Sequence, residues 1–159
     1  MAEIAGRRMT AEIDGDFVVF LIGARLNNPI QVLRSLIDLG GRRGMRYMLD
    51  YLVARPEKGL LAYEIGIPTI VQYWRSFEHL EAFASDRDDP HLEAWRSYWR
   101  RVGRSDRTGI WHETYLVKEG QYEAIYGNMP PHGLGKAGHL VPLSAASSAR
   151  DRIRVPAGV

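Results

Sequence analysis

An apolar segment near the N-terminus constrains the fold of this chain more than any other feature. The segment Asp16–Arg25 reads DFVVFLIGAR, which is rich in valine, isoleucine and phenylalanine and short enough for a β-strand. Successive side chains of a strand point to opposite faces, so both faces of this strand are apolar. The two sets are Phe17, Val19 and Leu21 on one face and Val18, Phe20 and Ile22 on the other. The sequence therefore predicts a sheet that needs an apolar layer on each side.

The segment that follows this strand is predicted to form a broken helix and a hairpin. Asn28 suits the N-cap of a helix, and Pro29 suits its first position. Glycines at positions 40, 41 and 44 interrupt the helical spacing, which then resumes until Pro56 and Gly59. Two short segments rich in β-branched and aromatic residues come next, joined by Gly66-Ile67-Pro68. These hairpin strands are Leu60–Ile65 and Thr69–Arg75.

The second half of the chain is predicted to contain two helices and one clear strand. Ser76 can cap the first helix, and Asp89-Pro90 marks the start of the second. In the second helix Trp95, Trp99 and Val102 recur at helical spacing and are interpreted as core residues. The predicted strands are Gly109–Val117 and a short fifth strand, Tyr122–Tyr126.

This order of elements predicts an α+β fold, a ferredoxin-like antiparallel sheet with its helices on one face. The helices cover only one apolar face, and a large exposed apolar face is unfavourable in water. We therefore expect a homodimer, a dimeric α/β barrel in which the second copy covers the other face and a cavity is enclosed. The predicted single domain spans residues 8–137. Residues 1–12 are expected to be a loose arm, and residues 138–159 a flexible C-terminal tail.

Composition excludes several classes of protein and site. The chain has no cysteine, so disulfides, cysteine-ligated zinc and cysteine nucleophiles are excluded. Its formal net charge is +2 and its arginines are scattered, which does not favour nucleic-acid binding. No apolar run approaches the roughly 20 residues of a membrane span, and the first eight residues do not resemble a signal peptide. We expect a cytoplasmic protein that binds neither nucleic acid nor membrane.

Two strands carry side chains suited to a ligand site. In Gly109–Val117, His112 and Glu113 fall on opposite faces, so they cannot both act on one small molecule. His112 could serve as a general base, although a buried structural histidine remains an alternative. In Thr69–Arg75, Gln72 and Trp74 share a face and could form an apolar wall with one polar group, or ordinary core. The residues predicted to bind substrate are Gln72, Trp74, Tyr115, Tyr126, Asn128 and Met129.

The other histidines give weaker predictions. His79 lies near a helix start and could be an axial ligand only if haem is bound. His91, in the first turn after Asp89-Pro90, is interpreted as a surface or capping residue. His132 and His139 have no partners at metal-binding spacing, so no metal site is predicted. The loop that follows Tyr126, YGNMPPHGLG, is either a lid on a cavity or a packing loop.

Three stretches resemble a known family: Asp14–Gly23, Val71–Ala84 and Gly109–Leu134. Together they are similar to the family first catalogued as a domain of unknown function and later named after a monooxygenase of fumagillin biosynthesis. That family belongs to the dimeric α/β-barrel superfamily, beside antibiotic-biosynthesis monooxygenases and haem-containing aldoxime dehydratases. The resemblance covers roughly Arg8–Ala137.

The resemblance implies a homodimer with a pocket between sheet and helices in each protomer. It implies a monooxygenase that acts on a hydrophobic aromatic, terpenoid or polyketide molecule with dioxygen, without metal or flavin. In this interpretation His112 is the base, Gln72 and Trp74 position the substrate, and Tyr126 or Asn128 closes the site. The alternatives are a haem protein, of the aldoxime-dehydratase or haem-degrading kind, and a non-catalytic module that binds a small ligand.

Overall fold

The computed structural model describes residues 8–39, 44–102, 106–143 and 148–153, and the statements below concern these residues. The strands are β1 (Met9–Glu12), β2 (Phe17–Leu26), β3 (Leu60–Ile65), β4 (Thr69–Trp74), β5 (Thr108–Val117) and β6 (His139–Pro142). The helices are α1 (Val32–Asp38), α2 (Met45–Val53), α3 (Phe77–Ser85), α4 (Pro90–Val102), α5 (Leu134–Ala137) and α6 (Ala149–Arg152). Short 3₁₀ turns occupy Pro29–Gln31 and Pro56–Lys58.

The main sheet is antiparallel and has the strand order β3-β4-β2-β5. The most apolar strand, β2, is central and pairs with both β4 and β5 over most of its length. This is the ferredoxin-like order of a β-α-β-β-α-β chain, so the predicted fold class is confirmed. The face of the sheet that carries Val18, Phe20 and Trp74 packs against helices and is called the inner face here. The opposite face, which carries Phe17, Val19 and Tyr73, is called the outer face.

The core lies between the inner face and helices α2 and α3. Leu49 and Leu52 of α2 are completely buried and pack with Leu80 and Phe83 of α3. The indole of Trp74 is fully buried among them, with its ring centroid 5.7 Å from that of Phe83. Burial of these large side chains stabilises the helical layer on the sheet, since each is worth about 1.5–3 kcal/mol.

The N-caps predicted at Asn28 and Ser76 are present in the structure. The buried face of α4, however, differs from the prediction. The side chain of Asn28 accepts a hydrogen bond from the backbone N–H of Ile30, and that of Ser76 accepts one from His79 N–H. In α4 the buried residues are Tyr98 and Val102, whereas Trp95 and Trp99 are exposed. The interpretation of the two tryptophans as core is wrong. The helix is rotated so that Tyr98 can donate to the buried carbonyl of Thr108.

The described residues near both ends of the chain form regular structure that was not expected, while residues 1–7, 144–147 and 154–159 lie outside the described residues. Residues 9–12 are not a loose arm, because they form β1, which pairs with β6. The strand β6 itself belongs to the segment that was predicted to be a flexible tail. The helix α6 is capped by Ser148, and Arg152 forms an ion pair with Glu123. The expected strand Tyr122–Tyr126 is absent from the described residues, where this segment makes only a single bridge between Tyr126 and Met9.

Part of the outer face is covered by the same protomer. The ring of Phe17 is buried and meets Tyr122 edge to face at 5.3 Å. The carboxylate of Glu64 accepts a hydrogen bond from the backbone N–H of Gly133, which holds the C-terminal segment on β3. Towards β5 the cover ends, and Trp111 and Tyr115 are 39% and 50% exposed. The outer face is therefore half covered by the protomer itself, which the sequence did not indicate.

Replacing Tyr126 by phenylalanine is expected to lower the free energy of unfolding by about 1–2 kcal/mol. Its hydroxyl donates to the carbonyl of His132 and accepts from Gly135 N–H, so the variant loses two hydrogen bonds and keeps only the bond between Gly135 N–H and the His132 carbonyl. Burial raises the pKa of Tyr126, so its stabilising effect is present below its ordinary pKa and is lost as the pH rises above about 10. Urea titrations at pH 8 and pH 11 test this. An exposed control, Tyr47→Phe, should change stability by less than about 0.5 kcal/mol.

Candidate functional site

A cavity of about 1230 Å³ lies between the inner face of the sheet and helices α2, α3 and α4. One wall is made by side chains of three neighbouring strands, and the other by the helices. The sheet wall includes Phe20, Ile22, Ile70, Gln72, Trp74, Ile110, His112 and Thr114. The helical wall includes Met45, Met48, Tyr51, Phe83, His91, Ala94, Trp95 and Tyr98. A mostly apolar cavity with a few polar groups is typical of a small-molecule site, and this cavity is somewhat larger than the usual range of about 300–1,000 Å³.

Gln72 and Trp74 lie side by side on the sheet wall, as the sequence predicts. The indole Nε1 of Trp74 donates to Gln72 Oε1 at 2.9 Å, and Gln72 Nε2 lies 3.8 Å from the sulfur of Met45. The side chain of Gln72 is almost fully buried, so these contacts fix its orientation at the cavity wall. The pair therefore combines core packing with one oriented amide next to the cavity.

His112 also lies on the sheet wall, on the same face as Thr114 and opposite to Glu113. Its imidazole packs at a tilt of 32° against the ring of Phe20, with 5.4 Å between ring centroids, and the side chain is solvent-accessible. It pairs across the sheet with Ile22 of β2, which fixes its position in the middle of the wall. The placement expected for a cavity histidine is thus found at position 112.

A second imidazole, that of His91, reaches the cavity from the helical wall. Its Nδ1 lies 3.1 Å from the carbonyl oxygen of Ala84, and its ring packs against Phe83 at 5.6 Å. Sequence reasoning interpreted this residue as a surface or capping residue. The missed signal is the helical spacing of His91, Ala94 and Tyr98, which share the face of α4 that lines the cavity.

A buried carboxylate ties the elements around the cavity together. Asp89 accepts hydrogen bonds from the hydroxyl of Tyr51 at 2.6 Å and from Lys58 Nζ at 2.8 Å. The hydrogen bonds that Tyr51 and Lys58 donate to Asp89 raise the pKa of both donors. Helix α2, the 3₁₀ turn after it and the start of α4 are joined at this point, so the network positions the helical wall.

Tyr115 does not lie in this cavity. It belongs to the outer face, together with Glu113, because alternate residues of β5 point to opposite sides of the sheet. Its hydroxyl donates to the carboxylate of Glu113, and this hydrogen bond raises the pKa of Tyr115. The prediction that Tyr115 shares a ligand with Gln72 and Trp74 therefore differs from the structure.

Tyr126, Asn128 and Met129 also lie away from the cavity. The hydroxyl of Tyr126 is held by His132 and Gly135, and its ring is buried against Met9. Asn128 adopts a positive φ of 53°, in a tight bend that carries Met129 to the surface. This loop packs on the outer side of the sheet. The structure supports its interpretation as a packing loop, not as a lid on the cavity described above.

His79 is engaged in a structural role at the start of α3. Its Nδ1 lies 2.9 Å from Ser76 Oγ. A β-carbon at Gly59, where φ is +87°, would lie 2.5 Å from the imidazole ring, so the glycine makes room for it. His79 does not line the cavity, which leaves it without a place as a haem ligand there.

The described residues contain no group of three or more histidine or acidic side chains placed to hold a metal ion. Among the same residues, no helix has the length and apolar character needed to cross a membrane.

Comparison with known proteins is consistent with this architecture. The family model described as monooxygenase af470-like matches residues 17–134, which is most of the chain and contains both walls of the cavity. The chain belongs to this family. One relative is monooxygenase af470 of Aspergillus fumigatus, 29% identical over 157 residues, which cover 86% of this chain and 56% of the relative. The chain thus spans little more than half the length of that protein.

A solved structure shares the fold. It is an aldoxime dehydratase in complex with butyraldoxime, with a TM-score of 0.65 and 17% sequence identity. The match covers 84% of this chain and 39% of the dehydratase. At this identity the likeness shows a common fold and carries no information on the reaction.

Proposed function

We propose that this protein is a monooxygenase that oxidises a hydrophobic small molecule with dioxygen, in the cavity between the sheet and the helices. The observation that carries the proposal is the cavity itself, which combines about 1230 Å³ of mostly apolar lining with imidazoles on both walls. Its membership of a family named after a monooxygenase supports the same reaction class. Aromatic, terpenoid and polyketide molecules are the classes of hydrophobic substrate that we propose for this cavity.

The reaction needs neither metal nor flavin if the substrate is a carbon acid. Removal of a proton by an imidazole leaves a carbanion that is electron-rich enough to reduce dioxygen. The carbanion and dioxygen combine to a hydroperoxide, which loses water to give a ketone. The balance is R₂CH₂ + O₂ → R₂C=O + H₂O. An apolar ligand that fills the cavity displaces water from its walls, which slows reprotonation of the carbanion.

Anthrone is a suitable test substrate, because it is apolar and carries an acidic CH₂ group. The proposal predicts oxygen uptake above the uncatalysed rate, incorporation of one atom from ¹⁸O₂ into the product, and no effect of a chelator. Heat-denatured protein is the control. Uptake that equals this control, or that is abolished by the chelator, would contradict the proposal.

The two alternative functions are a haem protein and a non-catalytic binding module. Both are tested by identifying the molecules that co-purify with the protein. Haem held by a histidine would need an imidazole nitrogen in the cavity, and His91 and His112 line the cavity whereas His79 does not. A Soret band in the absorbance spectrum of freshly purified protein would favour haem. A tightly retained apolar molecule without any turnover would favour a binding module.

We further propose that a second copy of the chain covers the exposed part of the outer face. Trp111, Tyr115 and Leu21 lie on this part of the face, and no layer formed by the described residues covers Trp111 and Tyr115. The indole of Trp111 lies over Gly23, where a β-carbon would come within 2.5 Å of it, so the ring packs close against β2. A sheet face with large exposed aromatic side chains is suited to packing against an identical face around a twofold axis.

Trp111→Glu is expected to convert a dimer into a monomer, because it removes a large apolar side chain from the interface and adds a second carboxylate on the face that already carries Glu113. Sedimentation equilibrium at micromolar concentration measures the change. Trp99→Glu is the matched control, since Trp99 is an exposed tryptophan on α4, away from the sheet. A wild-type protein that sediments as a monomer would contradict the proposed interface.

A further inference from the structure

His91 and His112 enter the cavity from opposite walls, and the structure constrains them very differently. His112 is exposed and has one described ring contact, with Phe20. His91 is fixed by a hydrogen bond and by ring packing. We infer that His91, on α4, is the general base of the oxygenation and that it accepts the substrate proton on Nε2. This inference rests on the proposed function and names the group that starts its reaction.

The first argument concerns the tautomer of His91. The carbonyl oxygen of Ala84 can only accept a hydrogen bond, so Nδ1 of His91 must carry the hydrogen. In the neutral ring the lone pair is then on Nε2. Nε2 has no hydrogen-bond partner among the described residues, and the residue lines the cavity. The nitrogen with the lone pair is thus available to a ligand.

The second argument concerns rigidity. The ring of His91 packs on Phe83, whose own ring is buried against the indole of Trp74. Asp89, two residues before His91, accepts hydrogen bonds from Tyr51 and Lys58. These hydrogen bonds fix the start of α4. A base that is held in one orientation transfers a proton with less loss of side-chain entropy than a mobile one. Position 91 meets this condition better than position 112.

The proposed step is a reversible proton transfer. The C–H bond of the substrate breaks, its electron pair stays on carbon, and an N–H bond forms at Nε2 of His91. After the carbanion has combined with dioxygen, the imidazolium returns this proton to the peroxide anion. His91 is then neutral again, and loss of water from the hydroperoxide gives the ketone. No further oxidant or reductant is needed.

The kinetic test compares His91→Ala with His112→Ala, using anthrone and an oxygen electrode. We expect His91→Ala to lower kcat by about 100-fold or more, and added imidazole to restore part of it. His112→Ala should lower kcat less than about 10-fold, without rescue by imidazole. Near-native circular dichroism of both variants is the control for folding. Full turnover of His91→Ala, or rescue of only the His112 variant, would overturn the assignment.

A second measurement does not depend on turnover. In protein labelled with ¹⁵N-histidine, NMR should show His91 with its hydrogen on Nδ1, and Nε2 should become protonated when 4-nitro-1-naphthol is added. This acidic, apolar phenol also reports its own ionisation by absorbance. A hydrogen on Nε2 in the free protein, or an Nε2 signal unchanged by the phenol, would overturn the assignment. If both NMR results hold but anthrone gives no oxygen uptake, the acid–base site stands and the proposed oxygenation fails.

Discussion

Replacing Trp74 by alanine is expected to lower the free energy of unfolding by about 3–5 kcal/mol. The indole is completely buried, contacts Phe83 and donates its N–H to Gln72. Its removal leaves a void at the centre of the inner face and an unpaired amide oxygen beside it. Urea denaturation followed by circular dichroism measures the loss.

The control for Trp74 is Trp99→Ala, which removes an equally large side chain that is 52% exposed. This variant should lose less than about 1 kcal/mol, since exposed substitutions away from the core have small effects. Equal losses of unfolding free energy in the two variants would show that Trp74 is not at the centre of the core. Such a result would contradict the description of the inner face.

Asp89→Asn is expected to cost about 2 kcal/mol of stability and to loosen the helical wall of the cavity. The carboxylate is buried and accepts charge-assisted hydrogen bonds from Tyr51 and Lys58, each of which weakens when the charge is removed. The loss stays below the largest values for buried ion pairs because the side chain of Lys58 is 28% exposed and can turn to water. Thermal unfolding at neutral pH measures it.

Asp50→Asn is the matched control for this network. Asp50 pairs with Arg46 on the surface of α2, where both side chains are mostly exposed. Such a pair contributes only about 0.3–0.5 kcal/mol. A double-variant cycle of Asp89→Asn with Tyr51→Phe should be clearly non-additive, because the two groups share one hydrogen bond. Additive losses would contradict a shared network.

The main sheet could be predicted from the sequence because its signals are local. The apolar strand β2, the hairpin β3–β4 and the caps at Asn28 and Ser76 each follow from neighbouring residues. The pairing of β1 with β6 joins segments about 130 residues apart and could not be read from either segment alone. The same holds for the cover over Phe17, since it depends on Tyr122 being brought back across the sheet.

The candidate site was predicted in part. Strand geometry explains which of its residues could be predicted and which could not. Alternation along two strands placed Gln72, Trp74 and His112 on one wall, and the structure agrees. Alternation alone does not tell which face meets the helices, and Tyr115 was assigned to the site although it lies on the outer face. His91 was missed because its role depends on the rotation of α4, which the exposed Trp95 and Trp99 obscured in the sequence.

The central claim is that the space between the inner face and the helices binds the reacting molecule. A crystal structure of the protein with 4-nitro-1-naphthol tests it most directly. The account predicts electron density for the ring system against Gln72 and Trp74, with the phenolic oxygen within hydrogen-bond distance of His91 Nε2. Density only on the outer face, near Trp111 or Tyr115, would contradict it.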